Sequence, residues 1–340
     1  MKNSLPVSSP DLFFRNIGIS ITTKCPVSCS HCIAGAGPER SEEVPVEELI
    51  DWIEQISRYR NGYVRMITLT GGEPFYNIAR LQTISSSIQN HGLYVTVVTN
   101  AFWASSPEKA ADTLRLLPSV QAISVSTDVY HQSHIPLERV TNACIAAREE
   151  DRVCTVNVCT QDTRNEQYKQ ILRQLQKTLK SDTIQTMITL PLGRGSDTLD
   201  PSAYPLTKRI LKKPCFTINF PIILPDGRVM ACCGASVGLS GAHPLVLGNI
   251  RQNSLQTILD NAARDPLIFA LRTYGPGKIA RIFKKKGYGN LPETYIKNCL
   301  CDICMHLLQD EQISGLLSGL QDVPGLSGKA GMSVFQESET

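Results

Sequence analysis

The chain has 340 residues, 42% apolar and 19% charged, the balance of an ordinary globular protein with room for one large domain plus an appended module, or for two modest domains. Its 34 basic and 31 acidic side chains leave a net charge of +3, too small to make nucleic acid or an anionic membrane the main partner. Lys2 is followed by no continuous apolar core of signal-peptide length, and no window is long enough to cross a bilayer, so a cytoplasmic protein is expected. In that reducing compartment twelve cysteines point to metal binding or catalysis rather than to disulfides.

Apolar periodicity alternates between short β-rich runs and longer helical patterns. Strands are predicted at Ile17–Thr22, Val64–Thr70, Tyr94–Thr99, Ala122–Ser126, Thr155–Cys159 and Ile184–Leu190. Helices are predicted near Val46–Ser57, Ile78–Asn90, Pro107–Leu116, Glu138–Glu149 and Asn165–Leu179. Pro45 followed by Glu47 and Glu48 marks a helix start, since proline suits the first turn and acids suit its positive end. The alternation implies βαβ units and a parallel sheet, and leaves a flat doubly wound sheet and a barrel equally open.

Directly after the first strand, Cys25, Cys29 and Cys32 stand at C-x3-C-x2-C spacing. Three thiolates on a tight loop suit three corners of an iron–sulfur cube, whereas a structural zinc knuckle needs a closed set of four ligands. After the second strand comes Thr70-Gly71-Gly72-Glu73-Pro74. Paired glycines let the backbone turn sharply and approach a ligand closely. Taken together, the triad and Gly71–Pro74 one βα unit later resemble the radical S-adenosylmethionine (SAM) superfamily.

That resemblance implies a partial (β/α)6 barrel over residues 12–195. It implies a 4Fe–4S cluster on Cys25, Cys29 and Cys32, with SAM chelating the open iron through its amino and carboxylate groups. Gly71, Gly72, Glu73 and Pro74 match the family's motif for the methionine amino group of SAM. Reductive cleavage of SAM would then yield a 5′-deoxyadenosyl radical that takes a hydrogen from the substrate, with electrons from a flavodoxin- or ferredoxin-type donor. In barrel folds the reactive groups gather at the C-terminal ends of the strands, where the cysteine loop lies.

At the end of the fourth strand, Ser126 is a candidate SAM contact, and Asp128 faces either SAM or substrate; both residue types also cap helices routinely. Tyr130, His131 and His134 are candidates for the substrate wall, the histidines reading equally well as surface loop residues. Arg194, in the loop after the sixth strand, is positioned to meet the SAM carboxylate if the family pattern holds. Cys144, Cys154 and Cys159 read as small buried hydrophobes; the last two, five apart on a strand, point to opposite faces and share no metal.

A Ser/Asp/Pro-rich linker, Ser196–Pro205, leads to a second cysteine set in residues 196–310. Asp226-Gly227 between apolar residues signals a hairpin near Cys215 and Cys232, and Cys301 and Cys304 form a C-x2-C pair. Four thiolates close either a cluster or a zinc ribbon. With Leu247-Gly248-Asn249-Ile250, the region resembles the twitch and SPASM modules of radical SAM enzymes. The full SPASM form has seven cysteines and this region six, which implies one auxiliary 4Fe–4S cluster on Cys215, Cys232, Cys301 and Cys304, with Cys233 an alternative to Cys232. Lys284–Lys286 reads as a solvated helix end, and residues 311–340 as a disordered tail.

The expected activity is hydrogen abstraction from an unactivated carbon, ending in oxidation if an auxiliary cluster takes the second electron, or in epimerisation if a thiol such as Cys233 returns a hydrogen. Only 24 residues precede Cys25, too few for a peptide-recognition domain. This favours a sugar- or aminocyclitol-like natural product, with a ribosomally made precursor peptide as the alternative. An iron–sulfur scaffold without turnover is the non-enzymatic alternative, and Gly71–Pro74 speaks against it.

Overall fold

The computed structural model describes residues 13–180, 183–239 and 241–319. Six strands, β1 (Asn16–Ser20), β2 (Met66–Thr70), β3 (Tyr94–Thr99), β4 (Ala122–Asp128), β5 (Val153–Thr160) and β6 (Ile184–Ile188), pair in chain order and all in parallel. Between them run α1 (Val46–Arg58), α2 (Ile78–Asn90), α3 (Pro107–Arg115), α4 (Leu137–Glu149) and α5 (Glu166–Thr178). Helix α1 shows why: Glu47 and Glu48 occupy its first turn, and Leu49, Trp52, Ile53 and Ile56 form a buried stripe at helical spacing.

That stripe packs on Ile17, Ile19, Ile67, Leu69, Val95 and Val97, the apolar half of each alternating strand. The other half faces inward and is polar. Thr155 and Asn157 both donate to Ser124 Oγ, at 3.1 and 2.7 Å, and Thr68 donates to Asn16 Oδ1 at 3.1 Å. The outer face therefore supplies the burial energy, and the inner face is left free for a ligand.

The rest of the chain completes the sheet instead of standing apart. It runs through α6 (Gly195–Thr198), β7 (Leu206–Thr207), β8 (Ile222–Ile223), β9 (Arg228–Met230) and β10 (Val246–Asn249). Then follow α7 (Leu255–Arg264), α8 (Pro266–Thr273), α9 (Gly275–Lys286), β11 (Tyr295–Ile296), α10 (Leu300–Gln309) and α11 (Glu311–Gly319). Strand β8 pairs in parallel with β1, and β9 and β10 follow antiparallel, giving a nine-stranded sheet ordered β10-β9-β8-β1-β2-β3-β4-β5-β6. The second edge of β1 is thereby taken, and among the described residues the sheet stays open at β6.

The turn at Pro225-Asp226-Gly227 joins β8 to β9 with Gly227 at φ +84°, as the Asp-Gly signal predicts. Helix α9 ends at Lys284–Lys286 on a left-handed Gly287, so the basic run is a helix end. Two expectations are corrected. Ser196–Pro205 is no loose linker: it begins within α6, and Thr198 Oγ1 donates to the Ser30 carbonyl in the cysteine loop at 2.6 Å. Residues 311–319, expected to start a tail, form α11, because Ile313 and Leu317 fall one helical turn apart and are both buried; residues 320–340 lie outside the described residues. Arg60 and Arg251 tie α1 to the C-terminal part through Asp260 and Glu48, at 2.6 and 2.5 Å.

Candidate active site

The cysteine loop leaves β1 and folds back on itself, the Cys25 N–H on the Gly37 carbonyl and the Cys32 N–H on the Cys29 carbonyl, each at 3.2 Å. Cys25 and Cys29 are buried and Cys32 half-buried. Burial, with the nearby Glu73 and the other two thiols adding to it, pushes the Cys25 thiol up to about 12. Buried thiols that repel one another's ionisation are the donor set a cationic iron centre relieves, since a metal-bound thiol loses its proton outright. The residues present therefore fit a cluster.

Gly71–Pro74 is strapped to the strand leading into this loop. The Gly72 and Glu73 N–H groups donate to the carbonyls of Thr22 and Lys24, at 2.6 and 2.8 Å. A side-chain carbon on Gly71 or Gly72 would overlap those same carbonyls, and Gly71 sits at φ +139°, so glycine is required at both. Glu73 is buried, and its carboxylate accepts from Thr99 Oγ1 at 2.8 Å, Asn100 N at 2.7 Å and Phe75 N at 3.1 Å. Burial raises its pKa to about 7, and those three donors hold it from going higher. Asn100 also reaches Cys25 Sγ at 3.5 Å, so the end of β3 links motif and cysteine loop.

At the end of β4, Ser126 is half-buried beside Ser124 on the inner face. Asp128 is engaged within the protein. Its Oδ1 accepts from the Tyr130 and His131 N–H groups at 2.9 Å, while Oδ2 stands 2.9 Å from His131 Nδ1 and 3.2 Å from His31 Nε2. Burial alone would raise its pKa, but His131 and then His31 outweigh that and hold the carboxyl well below its usual range. Burial likewise opposes charge on His131, and Asp128 reverses this, raising it well above the usual imidazole value.

His131 is paired with Asp128 and meets the His31 ring edge-on, and His134 stands exposed. Tyr130 does line a cleft. Its ring stacks on His31 with centroids 4.6 Å apart, and with Thr160, Gln161, Asp162 and Arg164 it borders an opening of ≈ 480 Å³ beyond β4 and β5. Arg194 is spent on the protein: its guanidinium donates to the carbonyls of Cys29 at 2.9 Å, Gly35 at 3.2 Å and Ala36 at 2.7 Å. Short of hydrogen-bond donors, the tight cysteine loop takes up the whole fork, so Arg194 shapes the loop and does not face a SAM carboxylate.

Two side chains with site geometry are not singled out as site residues by the sequence, whereas Asn100, closing the third strand with Thr99, is expected there as a polar group near SAM. His31 sits inside the triad itself. Cys159 lies on the inner face of β5, its sulfur within 4.8 Å of ligand atoms of His31 and Asp128, so it is more than a buried hydrophobe. Its sequence signal was parity alone: Cys154 faces outward, 3.2 Å from Cys144 on α4, and Cys159, an odd number of residues on, must face the other way.

The second cysteine set converges from three segments. Burial first, and then the neighbouring thiols, raise both Cys301 and Cys304: Cys299, Cys232 and Cys215 act on Cys301, and Cys215, Cys301, Cys232 and Cys299 on Cys304. Among the described residues no three of these sulfurs come within 4.8 Å of one another. Cys233 is an exposed residue near Cys232 and Cys215, and the protein packed around its sulfur pushes the thiol up to about 12. Cys299 packs with Leu199, Tyr204 and Ile296, and Cys301 packs against the same cluster.

Comparison with known proteins agrees with this geometry. Residues 19–191 match the model of the radical SAM superfamily, and residues 215–304 that of an iron–sulfur cluster-binding domain, SPASM. The chain belongs to the radical SAM superfamily: it is an enzyme of the class that uses a 4Fe–4S cluster and SAM, with auxiliary iron–sulfur ligation in its C-terminal domain. It is 20% identical over 310 residues to the putative peptide biosynthesis protein YydG of Bacillus subtilis (strain 168), covering 88% of this chain and 94% of that one. Among solved structures it is similar to BtrN in complex with AdoMet and 2-DOIA, with TM-score 0.48, 15% identity, and 78% of this chain and 89% of that one covered. It is also similar to methylornithine synthase (PylB), with TM-score 0.42, 17% identity, and 53% and 55% covered. No helix among the described residues is long and apolar enough to cross a membrane.

Proposed function

We propose that the protein is a peptide-modifying radical SAM enzyme that inverts a carbon centre, with Cys233 as the returning hydrogen donor. One observation supports the reaction type: Cys233 is exposed and stands near Cys232 and Cys215, and it is not among the groups that act on Cys301 or Cys304. When bound, the reduced cluster and SAM supply a 5′-deoxyadenosyl radical, which removes one hydrogen from the substrate carbon. The residues that would hold these groups are Cys25, Cys29 and Cys32, and Gly71–Pro74 with Ser126. Tyr130 and its neighbours on the ≈ 480 Å³ opening orient the substrate. The Cys233 S–H bond then breaks as a new C–H bond forms on the opposite face. The thiyl left behind takes one electron from a flavodoxin- or ferredoxin-type donor and one proton from water.

The substrate class is supported by the relative whose printed name is peptide biosynthesis. The alignment covers 88% of this chain and 94% of that relative. The test is turnover in D2O with short peptides encoded beside the gene. Inverted product carrying one deuterium, with Cys233→Ala still cleaving SAM but inverting nothing, is expected. Inversion by Cys233→Ala, or product without deuterium, would remove the assignment.

A further inference from the structure

Trp103 touches the SAM-binding strap in two ways. Its ring lies flat on Phe75, centroids 4.4 Å apart and planes 9° from parallel, and Phe75 directly follows Gly71–Pro74. Its Nε1–H donates at 2.9 Å to Thr99 Oγ1, at the buried end of β3. The chain turns between them at Ala101, φ +63°, whose own N–H donates to the same hydroxyl at 3.1 Å. An indole and a backbone amide are donors only, so together they occupy both lone pairs of the hydroxyl oxygen. The single hydrogen of that hydroxyl is left for Glu73 Oε1, 2.8 Å away.

Glu73 is fixed in turn. Its Oε1 accepts from Thr99 and from the Phe75 N–H at 3.1 Å, and its Oε2 accepts from the Asn100 N–H at 2.7 Å. A carboxylate has about four acceptor positions. Donors among the described residues fill all but one, and the open position is on Oε2. The strap's other side chains cannot orient this group, since Gly71 and Gly72 have none and Pro74 has no donor. We propose that Trp103 and Thr99 form a donor relay that holds Glu73 with the remaining Oε2 position open to the amino group of SAM. Both are positioning residues: they act through Glu73, and they do so whatever the substrate.

The experiment is equilibrium dialysis of SAM against the full chain, loaded with iron and sulfide without oxygen, with iron counted in each variant. Thr99→Val keeps the shape and removes the hydroxyl, so SAM should bind roughly tenfold more weakly, while Thr99→Ser restores the hydroxyl and should bind within about twofold of wild type. Trp103→Phe keeps a ring on Phe75 and removes the N–H. It should weaken SAM roughly threefold in the wild-type background and not at all in Thr99→Val, where the relay is already broken. Unchanged affinity in Thr99→Val, a Thr99→Ser as weak as Thr99→Val, no effect of Trp103→Phe in wild type, or an equal loss from it in both backgrounds overturns the proposal. Should Thr99→Val take up no iron, the wild-type background decides: weaker SAM binding by Trp103→Phe with its full iron upholds the relay, and unchanged binding overturns it.

Discussion

Glu73→Gln isolates the cost of ionising a carboxyl inside the SAM-binding strap. In the fold its proton dissociates near 7 because burial outweighs the three donors around it, against 4.5 for an exposed glutamate. The folded state therefore holds the proton more tightly than the unfolded one, and stability falls as pH rises between those two values. Integrated from pH 5 to pH 8, this single group costs about 2.5 kcal/mol. Gln does not titrate, so the variant lacks this slope whatever its own fixed penalty. That penalty is about 1–3 kcal/mol, because its NH2 must face the Asn100 or Phe75 N–H. Denaturant melts of cluster-loaded protein at half-unit pH steps should show wild type losing about 2.5 kcal/mol more than Glu73→Gln across this window. Parallel profiles would refute the reasoning and mean that Glu73 is already ionised at pH 5.

Gly72→Ala forces a methyl group into the Lys24 carbonyl and should lower SAM affinity at least about tenfold, read by equilibrium dialysis, with the auxiliary iron retained. Arg194→Lys loses the fork that spans the Cys29, Gly35 and Ala36 carbonyls, so it should cost about 2 kcal/mol or more and speed loss of the SAM-binding cluster to a chelator; an unchanged release rate would contradict it. Alanine at Cys215, Cys232, Cys301 or Cys304 should cut bound iron from about eight to about four per chain, whereas Cys233→Ala and Cys299→Ala should keep the full count.

The sequence by itself determined the βα alternation, the cysteine triad, the Gly71–Pro74 strap and the second cysteine set, because each is a local pattern. Side-chain parity sorts strand faces, and thiol spacing on one loop sorts ligands without reference to distant residues. What Asp128, His131 and Arg194 do was decided only by the tertiary structure. A buried carboxylate or guanidinium binds whatever partner the fold brings to it, and these partners, His31, Cys29 and Ala36, stand about a hundred or more residues away in the chain. Adjacent residues such as Cys232 and Cys233 are equivalent in spacing, so the sequence alone does not say which of them joins Cys215, Cys301 and Cys304. Local periodicity fixes what a segment can be; long-range packing fixes what its polar groups must satisfy, and that is where the chemistry of this site is set.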